Sequence, residues 1–340
     1  MKFPRRQFLR LAASATALAA MTGPGATQTP NLAGKNVQVI IGSTTGGVND
    51  LWGRAVARHL GKHLPGQPSV IPQNMPGAGG LNAVNYIYNT APRNGTALAN
   101  IVSSVPLGPL TGATGARFDS LKLTWVGTPT TQTYLCLSTA NAKVKTFADL
   151  LTTELIVGTS GVGAGPSIYP KALNGLMGTK FKIVSGFPSA SNVLLAMERN
   201  EVDGACLPAE GVLTLRPDWI ANKKVNVLFQ AGARPNSKLK GVPFILDLAR
   251  TRQEKEAVDF LFAGNSLGRP FIAPPDMPAE LIKMLRDAFN ATMKDDQFIA
   301  DAERQRLDVA PEDGEHLATL VKRIYQTPKP IIDKIGELLK

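Results

Sequence analysis

Short apolar runs that end in turns, each turn opening an amphipathic stretch, recur along the 340 residues. This alternation restricts the chain to an α/β fold built from strand–helix units. The runs at 36–41, 97–102, 155–158, 202–206 and 225–229 read as strands of parallel sheets. Asn49 stands as N-cap of a helix over 50–64, in which Leu51, Trp52, Ala55, Val56, His59, Leu60 and Leu64 share one face. Thr146-Phe147-Ala148-Asp149 has capping-box spacing and opens a short helix ahead of the strand at 155, with the change of lobe expected before it. From Pro278 onward the pattern is almost wholly helical, with further helices starting near Glu312 and Pro328. A chain of this length, 44% hydrophobic, can bury two cores of roughly 100 to 200 residues each.

Ahead of the first strand, Arg5-Arg6-Gln7-Phe8-Leu9-Arg10 precedes an apolar stretch from Leu11 to Met21 and a small-residue exit ending at Ala26. Basic head, apolar middle and small-residue exit make residues 1–26 a twin-arginine export signal, cut after Ala26, since a membrane span needs roughly 20 apolar residues. The expected location is therefore the periplasm. Removing Lys2, Arg5, Arg6 and Arg10 from the net charge of +11 leaves +7. That excess favours acidic solutes, while the scattered Lys and Arg, without interleaved aromatics, exclude a nucleic-acid partner. The two cysteines, Cys136 and Cys206, lie in apolar strand-like runs. An oxidising compartment permits one disulfide between them, but export in the folded state favours two buried thiols.

Two loops carry the candidate chemistry. Gly42-Ser43-Thr44-Thr45-Gly46-Gly47-Val48-Asn49-Asp50 runs from the first strand into a helix. Glycines let backbone amides converge, the helix N-terminus is partly positive, and Ser43, Thr44 and Thr45 can donate to a carboxylate. The same segment also reads as a tight connection in which Gly46 and Gly47 serve only positive φ. Gly158-Thr159-Ser160-Gly161-Val162-Gly163-Ala164-Gly165 repeats the device in the second half. Neither loop ends in Gly-Lys-Ser/Thr or has the acidic partner of a dinucleotide fingerprint, which argues against a nucleotide cofactor. Ser160 lacks the second glycine of a nucleophile elbow, and His59 and His63, four apart on a helix, lack the Glu and third ligand of a zinc site. No cofactor, metal or catalytic group is expected. Asp50 is the one acidic residue at the first loop and is read chiefly as a helix cap.

At these segments the chain resembles the solute-binding proteins of tripartite tricarboxylate transporters, the Bug family, over nearly all of its length after the export signal. The motifs coincide in order: Gly46-Gly47-Val48-Asn49-Asp50, then the Asn-x-Pro-Gly-Ala-Gly-Gly turn from Asn74 to Gly80, then Pro92-Arg93-Asn94-Gly95. Later come Gly158-Thr159-Ser160 and the step Ala273-Pro274-Pro275-Asp276-Met277-Pro278. The resemblance implies an α/β, type II periplasmic-binding-protein fold, with two α/β lobes around a ligand cleft. Lobe 1 is expected over 31–130 and 233–340, and lobe 2 over 131–232. It further implies a small organic carboxylate held by Ser43, Thr44, Thr45, Gly46 and Gly47 of one lobe, with Asp50 beside them, and by Thr159 and Ser160 of the other. Ser103 and Ser104 form a third cleft loop, and Ser189 lines the cleft. Gly42-Ser43 replaces the family's Pro-Phe, and Arg269 stands where it could meet a second carboxylate. The implied protein is a monomer that docks on integral membrane transporter subunits. A ligand-loaded sensor of a membrane kinase and a periplasmic enzyme acting on a carboxylate remain alternatives.

Overall fold

β1 (Asn36–Ile41) buries Val37, Val39, Ile40 and Ile41, so it is covered on both faces towards its carboxyl end, as a central strand must be. The computed structural model to which it belongs describes residues 30–339 except 111, 113, 114, 160–164, 233, 237 and 238. The expected export signal lies outside the described residues.

After β1 come α1 (Val48–Leu60), β2 (Ser69–Asn74), α2 (Leu81–Asn89), β3 (Ala97–Asn100) and β4 (Thr124–Thr128). The chain then enters a second sheet through β5 (Tyr134–Thr139), α3 (Phe147–Leu150), β6 (Leu155–Thr159), α4 (Gly165–Met177) and β7 (Phe181–Ser185). That sheet is completed by α5 (Ala190–Glu198), β8 (Gly204–Pro208), α6 (Ala209–Leu215), α7 (Asp218–Ala221) and β9 (Val225–Ala231). The return path is α8 (Arg252–Leu267), β10 (Phe271–Ala273), α9 (Ala279–Thr292), α10 (Asp296–Arg304), β11 (Glu312–Asp313), α11 (Gly314–Tyr325) and α12 (Lys329–Leu339). Two α/β lobes result, one on a sheet ordered β11-β4-β10-β3-β1-β2, the other on β7-β6-β8-β5-β9.

The sheets are mixed, where the alternation alone predicts parallel ones. β1 pairs in parallel with β2 and β3, and β6 with β7 and β8. The strands that carry the chain out of one lobe and back run against each other: β10 is antiparallel to β4, and β9 to β5. A chain that leaves a sheet and returns to it must do so in opposite directions, and this adds antiparallel strands to each parallel core.

The capping box at Thr146 forms as expected, with the Thr146 hydroxyl accepting from Asp149 N–H and the Asp149 carboxylate accepting from Thr146 N–H. Asn49 is not an N-cap. α1 starts one residue before it, Gly47 takes the cap position, and the Asn49 side chain is drawn into a tertiary contact. The cysteines also differ from expectation: Cys136 on β5 stands opposite Cys206 on β8, and the two are joined as a disulfide. Their separation of 70 residues hides a direct cross-strand pairing from the sequence.

α1 packs Trp52, Ala55, Val56 and Leu60 into the first lobe's core beside Phe289 of α9 and Phe298 of α10. Its charged side reaches α10, where Arg58 and His59 meet Asp301, and in the turn just after α1 Lys62 and His63 meet Asp295, the N-cap of α10. The histidine pair thus contacts carboxylates, and among the described residues no His/Cys/Asp/Glu group has the make-up of a metal site. α12 lies against α4 and α8. No described helix is long and apolar enough to cross a membrane.

Candidate functional site

The first loop leaves the carboxyl end of β1 and turns into α1, the position at which α/β sheets open a crevice for ligands. Gly46 makes the turn at φ +84°, a conformation that costs a side-chain-bearing residue energy. Below the turn the Asp50 carboxylate accepts from Gly46 N–H at 2.9 Å, from Arg54 Nε at 2.9 Å and from Asn74 Nδ2 at 2.8 Å. Asn74 Nδ2 also donates to the Ser43 carbonyl at 3.0 Å, while its Oδ1 accepts from Arg54 Nη2 at 2.6 Å and from Thr45 Oγ1 at 3.3 Å. Burial alone would raise the Asp50 pKa, but the hydrogen bonds from Arg54, Gly46 and Asn74 outweigh it and hold the carboxyl below its usual value. Asp50 is thus an ionised buckle that shapes the loop, with both of its oxygens engaged by protein donors. Thr44, Thr45 and Gly46 are exposed above it, and Ser43 and Gly47 are half-buried.

Arg269 enters the same place from the other end of the chain. Gly268 before it has φ +65°, and a Cβ there would overlap the Thr130 carbonyl oxygen, so only glycine fits. The Arg269 backbone is fixed by its N–H on Thr128 Oγ1 at 2.9 Å and its carbonyl under Asn100 Nδ2 at 3.0 Å. Its guanidinium Nη1 donates to Asn49 Oδ1, in the first turn of α1, at 2.7 Å. Expected at a second ligand end, Arg269 instead joins the first loop. Arg269 Nε and Asn49 Nδ2 are both buried without an acceptor, as is Asn265 Nδ2 on α8, whose Oδ1 accepts the Tyr169 hydroxyl at 2.9 Å.

A cavity of about 350 Å³ opens beside the Arg269 side chain, walled by Val48 and Leu51 of α1 and by Ala190, Leu207, Glu210 and Val212 of the other lobe. A second, of about 320 Å³, follows the connection from β4 to β5 past Thr130, Gln132 and Thr133 and shares Pro208, Glu210, Thr214, Arg306 and Leu307 with the first. Burial lowers the pKa of the guanidinium, against the pull of the Glu210 and Tyr134 charges, yet an arginine starting so high stays cationic. Burial raises Glu210, opposed by Arg269, and pushes the Tyr134 hydroxyl up to about 12. Among the described residues no ion pair to Arg269 forms, so a half-buried, incompletely paired cation stands beside the cavity, and a group of this kind favours an anionic partner.

The remaining candidates are spread around this centre. Ser189 caps α5 through Asn192 N–H, and its neighbour Ala190 lines the cavity. Thr159 is fully buried at the end of β6, where its Oγ1 accepts from Ser167 Oγ at 2.8 Å. Ser160 lies outside the described residues. Ser103 is buried and Ser104 exposed in the turn after β3, facing Gly264 of α8, with no hydrogen bond to the first loop. Asn49, read as a cap, and Asn74, read as a structural turn, are the residues whose part in the site sequence reasoning missed. Asn74 was marked by its motif, whereas Glu210 and Asn265 carry no local signal.

No family model matches the chain. It is 22% identical over 344 aligned positions to the UPF0065 protein in the gbd 5' region of Cupriavidus necator, covering 98% of each chain. Among solved structures, a TctC solute-binding protein from Polaromonas superposes with a TM-score of 0.70 at 19% identity, over 88% of this chain and 98% of that one. MatC from Rhodopseudomonas palustris, with bound malate, superposes with a TM-score of 0.57 at 18% identity, over 90% and 99%. These neighbours bear out the resemblance read from the sequence, and the chain has the two-lobed α/β fold of the TctC-type periplasmic solute-binding proteins.

Proposed function

We propose that this chain is an exported solute-binding protein that captures a small organic carboxylate between its lobes and delivers it to a tripartite tricarboxylate-type membrane transporter. One observation carries the reading: the half-buried Arg269 guanidinium, bonded to Asn49 and holding an unpaired Nε, on the wall of an interlobe cavity. A ligand carboxylate supplies the acceptor that these donors lack, and charge-assisted bonds of this kind are roughly twice as strong as neutral ones. Ser43, Thr44, Thr45, Gly46 and Gly47 add amides and hydroxyls beside it at the N-terminus of α1, where a negative group is favoured. Thr159, Ser103, Ser104 and Ser189 are assigned as secondary contacts, and Ser160, outside the described residues, is given the same part from the sequence. The malate in MatC supports the ligand class. Because the ligand touches both lobes, it binds the closed arrangement better than the open one and shifts the population towards it; no bond is broken.

Thermal unfolding against dicarboxylates, tricarboxylates, monocarboxylates and amino acids tests the reading. A ligand that binds only the native state raises the midpoint by mass action. A rise with one class of acid, recovered unchanged, is the expected result; no rise with any carboxylate, or chemical turnover of one, refutes it. Export is tested by fusing residues 1–26 to a reporter, which should reach the periplasm and lose that location when Arg5 and Arg6 are changed to Lys.

A further inference from the structure

We infer that the ligand is a monocarboxylate with an apolar body, a medium-chain or aryl acid, whose carboxylate meets Arg269 and Asn49 and whose body fills the cavity beside them. This rests on the carboxylate-binding reading above and narrows it.

Three observations carry it. Hydrocarbon from both lobes lines the cavity: Val48, Leu51 and Leu307 from the first lobe, and Leu207, Val212 and Leu215 from the second. Val48 and Leu215 are each 41% exposed, so two of the few large apolar side chains open to water in this protein border the same cavity from opposite lobes. Apolar surface left wet on either side of a cleft is stabilised when a ligand body replaces the water, at about 25 cal/mol per Å². Finally, the charges are unevenly placed. The cation with unpaired donors, Arg269, sits at the α1 end, and the acid on the same wall is Glu210. A second carboxylate on the ligand would lie near Glu210 and would forfeit its hydration against leucine and valine, a transfer that is expensive for any unpaired charge. Thr214, Gln305 and Arg306 are the other polar groups on the wall, and Arg306 is exposed to solvent. A cavity of about 350 Å³ is at the small end of ligand sites, which run from roughly 300 to 1,000 Å³, and suits one acyl chain or one ring.

Hexanoate and adipate share a six-carbon chain and differ in the second carboxylate, which makes them a matched pair. Calorimetric titration of the protein with hexanoate, octanoate, phenylacetate and adipate is the test, repeated on Leu215→Asp. This variant changes an exposed side chain and should keep the wild-type unfolding midpoint. The expected result is that the best monocarboxylate binds at least about tenfold more tightly than adipate, and that Leu215→Asp weakens it by at least about tenfold, through the lost apolar contact and the charge set against the ligand's body. Adipate binding as tightly as the monocarboxylates, or a monocarboxylate affinity unchanged in Leu215→Asp, overturns the inference and leaves the carboxylate reading standing. No binding of any of the four acids, or of malate and citrate alongside them, overturns both.

Discussion

Among the described residues the half-buried Arg269 cation has one side-chain hydrogen-bond partner, neutral Asn49, and such a group destabilises the ligand-free protein while it waits for an anion. Replacing it with an apolar side chain of similar length separates the two effects. Arg269→Met is expected to lower carboxylate affinity by about 100-fold, equivalent to losing roughly 3 kcal/mol of charge-assisted hydrogen bonding, and to leave the ligand-free unfolding midpoint unchanged or higher. Calorimetry and a melt on the same sample check both halves. Gly46 makes the complementary point about backbone. At φ +84° with open space around it, Gly46→Val meets no clash but strains the turn and blocks close approach of a ligand, so binding should vanish while the fold survives. Normal ligand affinity in that variant would refute the assigned loop. The loop was legible because glycines and hydroxyls between a strand and a helix are a local pattern. The Arg269–Asn49 bond was not, since its partners lie 220 residues apart and the N-cap preference of Asn gave a competing local reading that Gly47 won.

Among the elements, α1 is held at both ends by carboxylates, and this gives it a pH dependence with a definite sign. Asp50 and Asn74 set its start; Asp295 and Asp301 grip its far end. The bond from Lys62, helped by those from His63 and the backbone N–H groups of Phe298 and Gln297, holds the Asp295 carboxyl far below the usual carboxylate range despite its partial burial. Burial would raise Asp301, but Arg58 and His59 outweigh it, and that carboxyl also lies low. A folded-state pKa below the unfolded one stabilises above the ordinary value of about 4, and this stability is lost as pH falls through the folded value. Asp295→Asn keeps an N-cap for α10, so the variant should be less stable than wild type near neutral pH and the deficit should shrink steadily below about pH 4 in denaturant titrations. A deficit independent of pH would show that packing, not charge, holds α1 to α10. β1, β3, β6, β8 and β9 were readable as apolar runs, whereas β2, β4, β10 and β11 were not, and no pairing was: the antiparallel β5–β8 register that brings Cys136 to Cys206 depends on contacts no local window contains. Closing a loop of 70 residues restricts the unfolded chain, so the double Cys136→Ala, Cys206→Ala variant should lose about 4 kcal/mol in chemical denaturation, and the wild type should become equally labile under reductant.

For the molecule as a whole, the question is which parts move together when a ligand is captured. The chain crosses between sheets on the way from β4 to β5 and again after β9, so a hinge can bend at these passages without unpairing either sheet. The C-terminal elements are divided. α9 and α10 bury their apolar faces with α1 in the first lobe, whereas α12 lies against α4 and α8. A ligand seated between α1 and the β8–α6 segment touches one element of each lobe, and tightening of both is the signature of closure. Hydrogen exchange with the acid that raises the unfolding midpoint should therefore slow in residues 43–51 and 207–215 together. It should leave α9 and α11 unchanged, because they line no part of the cavity beside Arg269. Small-angle scattering on the same sample should record a smaller radius of gyration. Slowed exchange confined to 43–51, with no compaction, would mean that the anion is held by the first loop alone and that the lobes do not close on it.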